Sequence, residues 1–131
     1  MPENGGISMY ADIWPFNPKM YDKSPICAWP HSKGNPSGPL VLNFKWVDAT
    51  KDEFWIETIK TLTAAIKKAA VDERLTKEDA AAYYNLSIEE GVSVQDIYQE
   101  NIAWLVKVKE EYDPYNVMGR TGGFRIPPLV Q

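Results

Sequence analysis

The sequence predicts an α+β fold: a small, mostly antiparallel sheet with two amphipathic helices on one face and an extended C-terminal tail. Three observations predict it. Short segments alternate apolar and polar residues with the period of a strand. Two longer segments carry apolar residues at spacings of three and four, the period of a helix. A proline-rich stretch separates the first two strand-like segments and matches neither period. At 131 residues the chain is expected to form a single domain, 1–131, with one core.

Taken in order, residues 7–14, "ISMYADIW", place Ile7, Met9, Ala11 and Ile13 on one face and Ser8, Tyr10, Asp12 and Trp14 on the other. Residues 15–39 contain six prolines, which fix φ and remove backbone donors, so an irregular loop packed by its own side chains is expected there. Residues 40–47, "LVLNFKWV", alternate again: Leu40, Leu42, Phe44 and Trp46 against Val41, Asn43, Lys45 and Val47. Thr50 to Glu53, "TKDE", has the form of a capping box that opens a helix. Trp55, Ile59, Leu62, Ile66 and Ala69 then form its apolar stripe, and the helix is expected to end between Asp72 and Leu75.

Residues 81–88, "AAYYNLSI", alternate as a third strand would, with Tyr83 and Asn85 pointing to one side, although the Ala-rich lead-in also fits a helix. A second helix is expected after Ser93, capped by "SVQD", with Tyr98, Ile102, Leu105 and Val108 inward. Asp113-Pro114 stops it near Tyr112, because a residue before proline disfavours the helical region. Residues 113–131 form the extended tail. A sheet of three strands leaves an edge and a face open, so a homodimer or another covering partner is expected.

Composition narrows the function. Apolar residues make up 44% and charged residues 24%, as in ordinary globular proteins. The net charge of −4, without a basic stripe, argues against nucleic acid as the partner. No apolar run approaches the roughly 20 residues that span a bilayer, and the N-terminus lacks the basic start and apolar middle of a signal peptide. The single Cys27 has no disulfide partner within the chain, which fits a reducing, cytoplasmic location.

Several residues invite a chemical reading. His31 is the one His and the one side chain that titrates near neutrality unperturbed, and it is a candidate substrate contact; packing within its loop is the stronger expectation. With one His and one Cys, a metal site would rest on carboxylates alone, and no metal is expected. Cys27 reads as a buried, inert thiol. "GRTGG", residues 119–123, lacks the preceding strand and following helix of a phosphate loop and reads as a turn that folds the tail back. Glu89-Glu90 and Glu110-Glu111 are neighbours in sequence that point apart, and read as solvated charge. The richest set is the polar side of the strands. Tyr10, Asp12, Trp14, Asn43, Lys45, Tyr83 and Asn85 would gather there as a small-molecule pocket or, equally well, a partner interface.

A resemblance sharpens this. "AYYNLS", followed by "VQDIYQENIAWLVKVKEEYDPYNVMG", resembles the C-terminal berberine-bridge-type substrate domain of FAD-linked oxidases. The matching positions are Tyr83 and Asn85, then Asn101, Leu105, Lys109, Tyr112, Asp113, Pro114, Asn116 and Val117. "MYADIWPFNP", "AWPHSKGNPSGPL" and "FWIETIK" are similar to the fungal members. The resemblance implies a domain that closes over a flavin held elsewhere, with Tyr83 and Asn85 on the cavity side. The family's Arg-x-Gly-Gly-His element and covalent Cys are absent from this sequence, so the chain is expected to hold no FAD and no other cofactor of its own. Asn43 and Lys45 depart from the apolar residues expected in their strand.

These readings lead to a stand-alone substrate-domain remnant. The first expectation is a cofactor-independent cyclase, pericyclase or isomerase of secondary metabolism acting on a small hydrophobic or polyketide-like molecule. It would restrict the substrate's conformations, with Tyr83, Asn85, Asp12 and Lys45 as catalytic groups and Tyr10, Trp14, Asn43 and His31 as substrate contacts. The alternative is an accessory lobe that docks on a separate flavin-domain chain to complete an oxidoreductase, or an inactive fragment.

Overall fold

A computed structural model describes residues 2–30, 38–88 and 90–128. The fold is α+β, a two-stranded antiparallel sheet with helices. The chain divides into two compact units: Met1–Asp22 with Lys33–Glu78, and Lys23–Ser32 with Asp79–Gln131.

The first unit is a hairpin with one helix. Strand β1 runs Gly6–Ile13 and strand β2 runs Leu40–Trp46, paired with Tyr10 opposite Asn43 and Asp12 opposite Val41. The alternation read from the sequence therefore holds: Met9, Ala11 and Ile13 share a face with Leu40, Leu42 and Phe44. A bulge between Gly6 and Ser8 shifts the register at the start. At the other end the Trp14 N–H donates to the Pro39 carbonyl at 3.1 Å. Gly38 lies so close to the Trp14 carbonyl that a Cβ there would overlap it.

Helix α1, Asp52–Asp72, packs on β2 through one indole. Trp55 is only 4% exposed, stacks on Trp46 at 6.0 Å and meets Phe44 at 6.1 Å and Phe54 at 5.2 Å. Its Nε1–H donates to the Asn4 carbonyl at 2.9 Å, so the buried ring leaves no polar atom unpaired. The helix start differs from the expected Thr50–Glu53 box. Asp48 accepts from both the backbone N–H and the hydroxyl of Thr50 and opens a 3-10 turn, Ala49–Lys51, from which α1 continues. A carboxylate two residues earlier holds the Thr50 hydroxyl and takes over the N-terminal capping place.

The second unit is helical. Helix α2, Val94–Tyr98, opens with the expected reciprocal capping box between Ser93 and Asp96. It does not continue to Tyr112 as one helix. Gln99 takes φ 45°, the 3-10 turn Gln99–Asn101 follows, and helix α3 runs Ile102–Tyr112. The break aims side chains at nearby backbone: Gln99 Nε2 donates to the Asp79 carbonyl at 2.6 Å, and Asn101 Nδ2 to the carbonyls of Cys27 and Ala28, both at 3.1 Å. Ile97, fully buried, is the centre of this unit.

The third strand does not form. Residues 84–86 are a 3-10 turn, closed by the Leu86 N–H on the Tyr83 carbonyl at 3.1 Å and the Ser87 N–H on the Tyr84 carbonyl at 3.5 Å. Ala82 instead spends its N–H on the Asp96 carbonyl and its carbonyl on the Trp29 indole, so no ladder partner is available to it. The apparent alternation of "AAYYNLSI" is a coincidence of composition that local bonds override.

Candidate functional site

The hairpin gathers part of the expected polar face. Asn43 Nδ2 donates to Asp12 Oδ2 at 3.2 Å, and Tyr10 stands opposite Asn43 in the register. Lys45, exposed, lies two residues further along the same face, opposite Ser8. Trp14 follows the end of β1 and meets Phe16 edge-on at 6.1 Å. This set offers a half-buried acid and amide beside an exposed phenol and amine. Such groups can hydrogen-bond a polar ligand, but in contact with water their fields are weak.

Tyr83 and Asn85 do not join that face as strand residues. Both belong to the second unit, Tyr83 leading into the 3-10 turn and Asn85 within it. Tyr83 packs edge-on against Trp29 at 5.7 Å, while Asn85 is exposed. Ser87 Oγ–H returns to the Tyr83 carbonyl at 2.8 Å and fixes the bend. Their expected place on a third strand is therefore corrected, because the turn replaces the strand. His31 lies outside the described residues, as does Glu89. Cys27, expected to be buried, is exposed, because it lies in an irregular segment where its thiol donates to the Trp29 carbonyl at 3.1 Å.

A second feature of the first unit was not read from the sequence. An open groove of about 830 Å³ runs between β1 and α1, lined by Met9, Phe54, Leu62 and Ala65 with Thr58 and Thr61 among them. Glu53 and Glu57 close its rim at one end. The groove exists because Trp55 draws α1 toward β2 and leaves the β1 half of the apolar face uncovered.

The Tyr-Asp-Pro-x-Asn-Val element forms a clasp at the end of α3. Lys109 Nζ bridges Asp113 Oδ2 at 3.2 Å and Asn116 Oδ1 at 2.6 Å. Asp113 in turn accepts the Val117 N–H at 2.6 Å and the Met118 N–H at 3.2 Å. Both charged side chains are largely enclosed, 16% and 13% exposed. Burial pushes the Asp113 carboxyl up, but the bonds from Lys109, Val117 and Met118 and the Lys109 charge outweigh it and hold it below the usual carboxylate range. Asn116 sits at φ 54°, and Gly119 leaves room for its side chain. Lys109, the Asp113 carboxylate and the Asn116 carbonyl oxygen together end the helix. The i,i+4 spacing of Lys109 and Asp113 was the signal for it.

The "GRTGG" segment turns as expected: a 3-10 turn at Met118–Arg120, then Gly123 at φ 98° beside the Tyr84 hydroxyl. The tail returns to pack Phe124 on Tyr84 at 5.6 Å, and Tyr84 also meets Tyr98 at 6.4 Å. Burial and the neighbouring Tyr84 raise the Tyr98 phenol above its ordinary pKa. Among the described residues no three His, Cys, Asp or Glu side chains stand close enough to hold a metal ion. No helix among them is long and apolar enough to cross a membrane. The chain matches no family model, no curated protein and no solved structure.

Proposed function

We propose that the chain is an accessory lobe that works by covering a surface of a separate protein. One observation carries this reading. Within the first unit only Val41 and Trp55 are buried hydrophobics among the described residues, while Ile7, Met9, Ile13, Leu40 and Phe54 remain exposed. Large apolar side chains grouped along one strand and one groove mark an interaction surface. The resemblance to the substrate domain of berberine-bridge-type oxidases supplies the partner: a chain carrying the flavin domain, with FAD bound there. The Lys109–Asp113–Asn116 clasp supports the lobe by fixing the end of α3.

Co-expression with a berberine-bridge-type flavin domain that lacks its own substrate domain tests this. A yellow complex is expected in which the two chains co-elute, with a shifted flavin spectrum. Separate elution and an unchanged spectrum would count against it.

A second reading, a flavin-free cyclase, pericyclase or isomerase, draws support from the Asp12–Asn43 bond beside Tyr10. It requires turnover of a polyene or polyketide without flavin, lowered by Asp12→Asn. Absence of turnover and binding across such compounds would remove it.

A further inference from the structure

We propose that β1 is the seam of a homodimer, pairing antiparallel with β1 of a second copy to make a continuous four-stranded sheet. The argument begins with the phase of the hairpin bonds. The Trp14 N–H to Pro39 carbonyl bond marks position 14 as a hydrogen-bonded pair. In an antiparallel ladder such pairs alternate, so Tyr10 and Asp12 spend their backbone groups on β2, while Met9, Ala11 and Ile13 direct theirs away from it. The sheet is only β1 and β2, so among the described residues that outer row meets no strand. A two-stranded sheet is marginal alone, and an open edge usually carries Lys or Pro, or a covering element, to block pairing. β1, "GISMYADI", has no Lys and no Pro, and its only charge is Asp12.

The edge of β2 differs. It carries Lys45, and Leu42, Phe44 and Trp46 lie half-buried beneath α1. On β1, Ile7, Met9, Ala11 and Ile13 are all exposed.

The choice of a second copy comes from the register. A twofold axis normal to the sheet pairs residues of the same face. Outward-facing Met9 must then oppose an outward-facing residue. Centring the axis on Tyr10 does this along most of the strand. Met9 opposes Ala11 of the second copy, with backbone bonds in both directions, and Ser8 opposes Asp12, hydroxyl to carboxylate. Tyr10 faces its own equivalent across the axis. No two carboxylates meet, so the strand is chemically complementary to its own reverse. The same operation sets the two apolar half-faces side by side, joining the Met9–Phe54–Leu62 groove of each copy beneath both α1 helices.

The test uses the full chain in a Cys27→Ser background. In antiparallel pairing, directly opposed residues without backbone bonds have Cα atoms about 4.5 Å apart, within disulfide reach. Tyr10→Cys should therefore cross-link to a covalent dimer under mild oxidation. Asp12→Cys should not, because its equivalents lie roughly 13 Å apart along the strands. The wild type should sediment as a dimer. Ala11→Pro, which removes an outward N–H and leaves the hairpin bonds in place, should be monomeric, as should Tyr10→Lys, each with an unchanged circular dichroism spectrum. A wild type monomeric at every concentration, cross-linking of Asp12→Cys in place of Tyr10→Cys, or a folded Ala11→Pro or Tyr10→Lys that stays dimeric would overturn the proposal. Docking on a flavin-domain chain is read separately by co-elution, so either idea can fail without the other.

Discussion

The two units solve the problem of a small core in different ways. In the hairpin unit, apolar contact does the work: Trp55 lies among Phe44, Trp46 and Phe54, and the surrounding apolar face is left half open. The helical unit centres on Ile97 and adds directed bonds, with Asn101 on the Cys27 and Ala28 carbonyls, the Trp29 indole on Ala82 and the Lys109–Asp113 clasp. Apolar contact is non-directional and tolerates a change of partner. Hydrogen bonds to fixed carbonyls do not. The hairpin unit is thus suited to being completed by another chain, and the helical unit to holding its own shape.

Breaking each centre gives the largest effects. Trp55→Ala removes the indole that holds α1 to β2 and should cost about 3–5 kcal/mol. Ile97→Ala should cost about 2–5 kcal/mol, because the cavity forms where nothing is exposed to relax into it. Hydrogen exchange separates the units. Trp55→Ala should speed exchange in β1, β2 and α1 while α3 stays protected, and Ile97→Ala should do the reverse. Loss of protection in both units from either variant would show that they unfold as one.

A pH series sharpens the same contrast. The Asp113 carboxyl is held below its ordinary value in the folded chain, while an unfolded Asp titrates near pH 3.9. A depressed carboxylate contributes stability that is complete above the unfolded value and is lost as pH falls through the folded one. The clasp should therefore be constant at neutral pH and weaken below about pH 4. Asp48 is lowered as well, first by the Thr50 hydroxyl and backbone bonds, so the start of α1 shares the acid limb. In Asp113→Asn, exchange at Val117 and Met118 should be fast at all pH values and lose its acid dependence, while the Thr50 amide keeps its own. An unchanged acid limb at Val117 would mean that the charge of Asp113 does not hold the helix end.

What the sequence made legible follows from where bonding is local and periodic. The β1–β2 alternation, the α1 stripe, the Ser93–Asp96 box and the stop at Asp113-Pro114 each depend on neighbours a few residues apart, and each formed. The third strand failed because period two is a necessary sign of a strand and no sufficient one; Ala82 and Tyr83 found bonding partners outside any ladder. The single helix from Ser93 to Tyr112 failed at Gln99, where a positive φ is bought by contacts with Asp79, far away in sequence. Of the expected polar residues, Tyr10, Asp12 and Asn43 are joined by strand register, while the strand expected to carry Tyr83 and Asn85 is a turn.

Within the clasp, Asn116 tests backbone against side chain. At φ 54° a residue with a Cβ is strained unless its side chain bonds locally, and Asn116 does so with Lys109. Asn116→Ala keeps the strain and loses the bond, and should cost about 1–2 kcal/mol. Asn116→Gly loses the bond but relieves the strain, and should melt higher than Asn116→Ala. Gly119→Ala should resemble Asn116→Ala, since its methyl group displaces the Asn116 side chain. Equal melting points for the Ala and Gly variants at position 116 would show that the left-handed turn carries no strain.

The smallest effects compare the two helix starts. Ser93 and Asp96 satisfy each other's backbone N–H groups, so Ser93→Ala should cost about 1 kcal/mol, read as a lowered denaturant midpoint. Glu53 stands where a capping box was expected, but the Thr50 hydroxyl and N–H are held by Asp48. Glu53→Gln should then change stability by less than about 0.5 kcal/mol, the usual range for a surface residue without a partner contact. A loss near that of Ser93→Ala would mean that Glu53 caps α1 in solution and that the Asp48 turn is the weaker of two competing starts. Because Glu53 also rims the groove, the same variant should leave dimer formation unchanged if the seam lies along β1 as proposed.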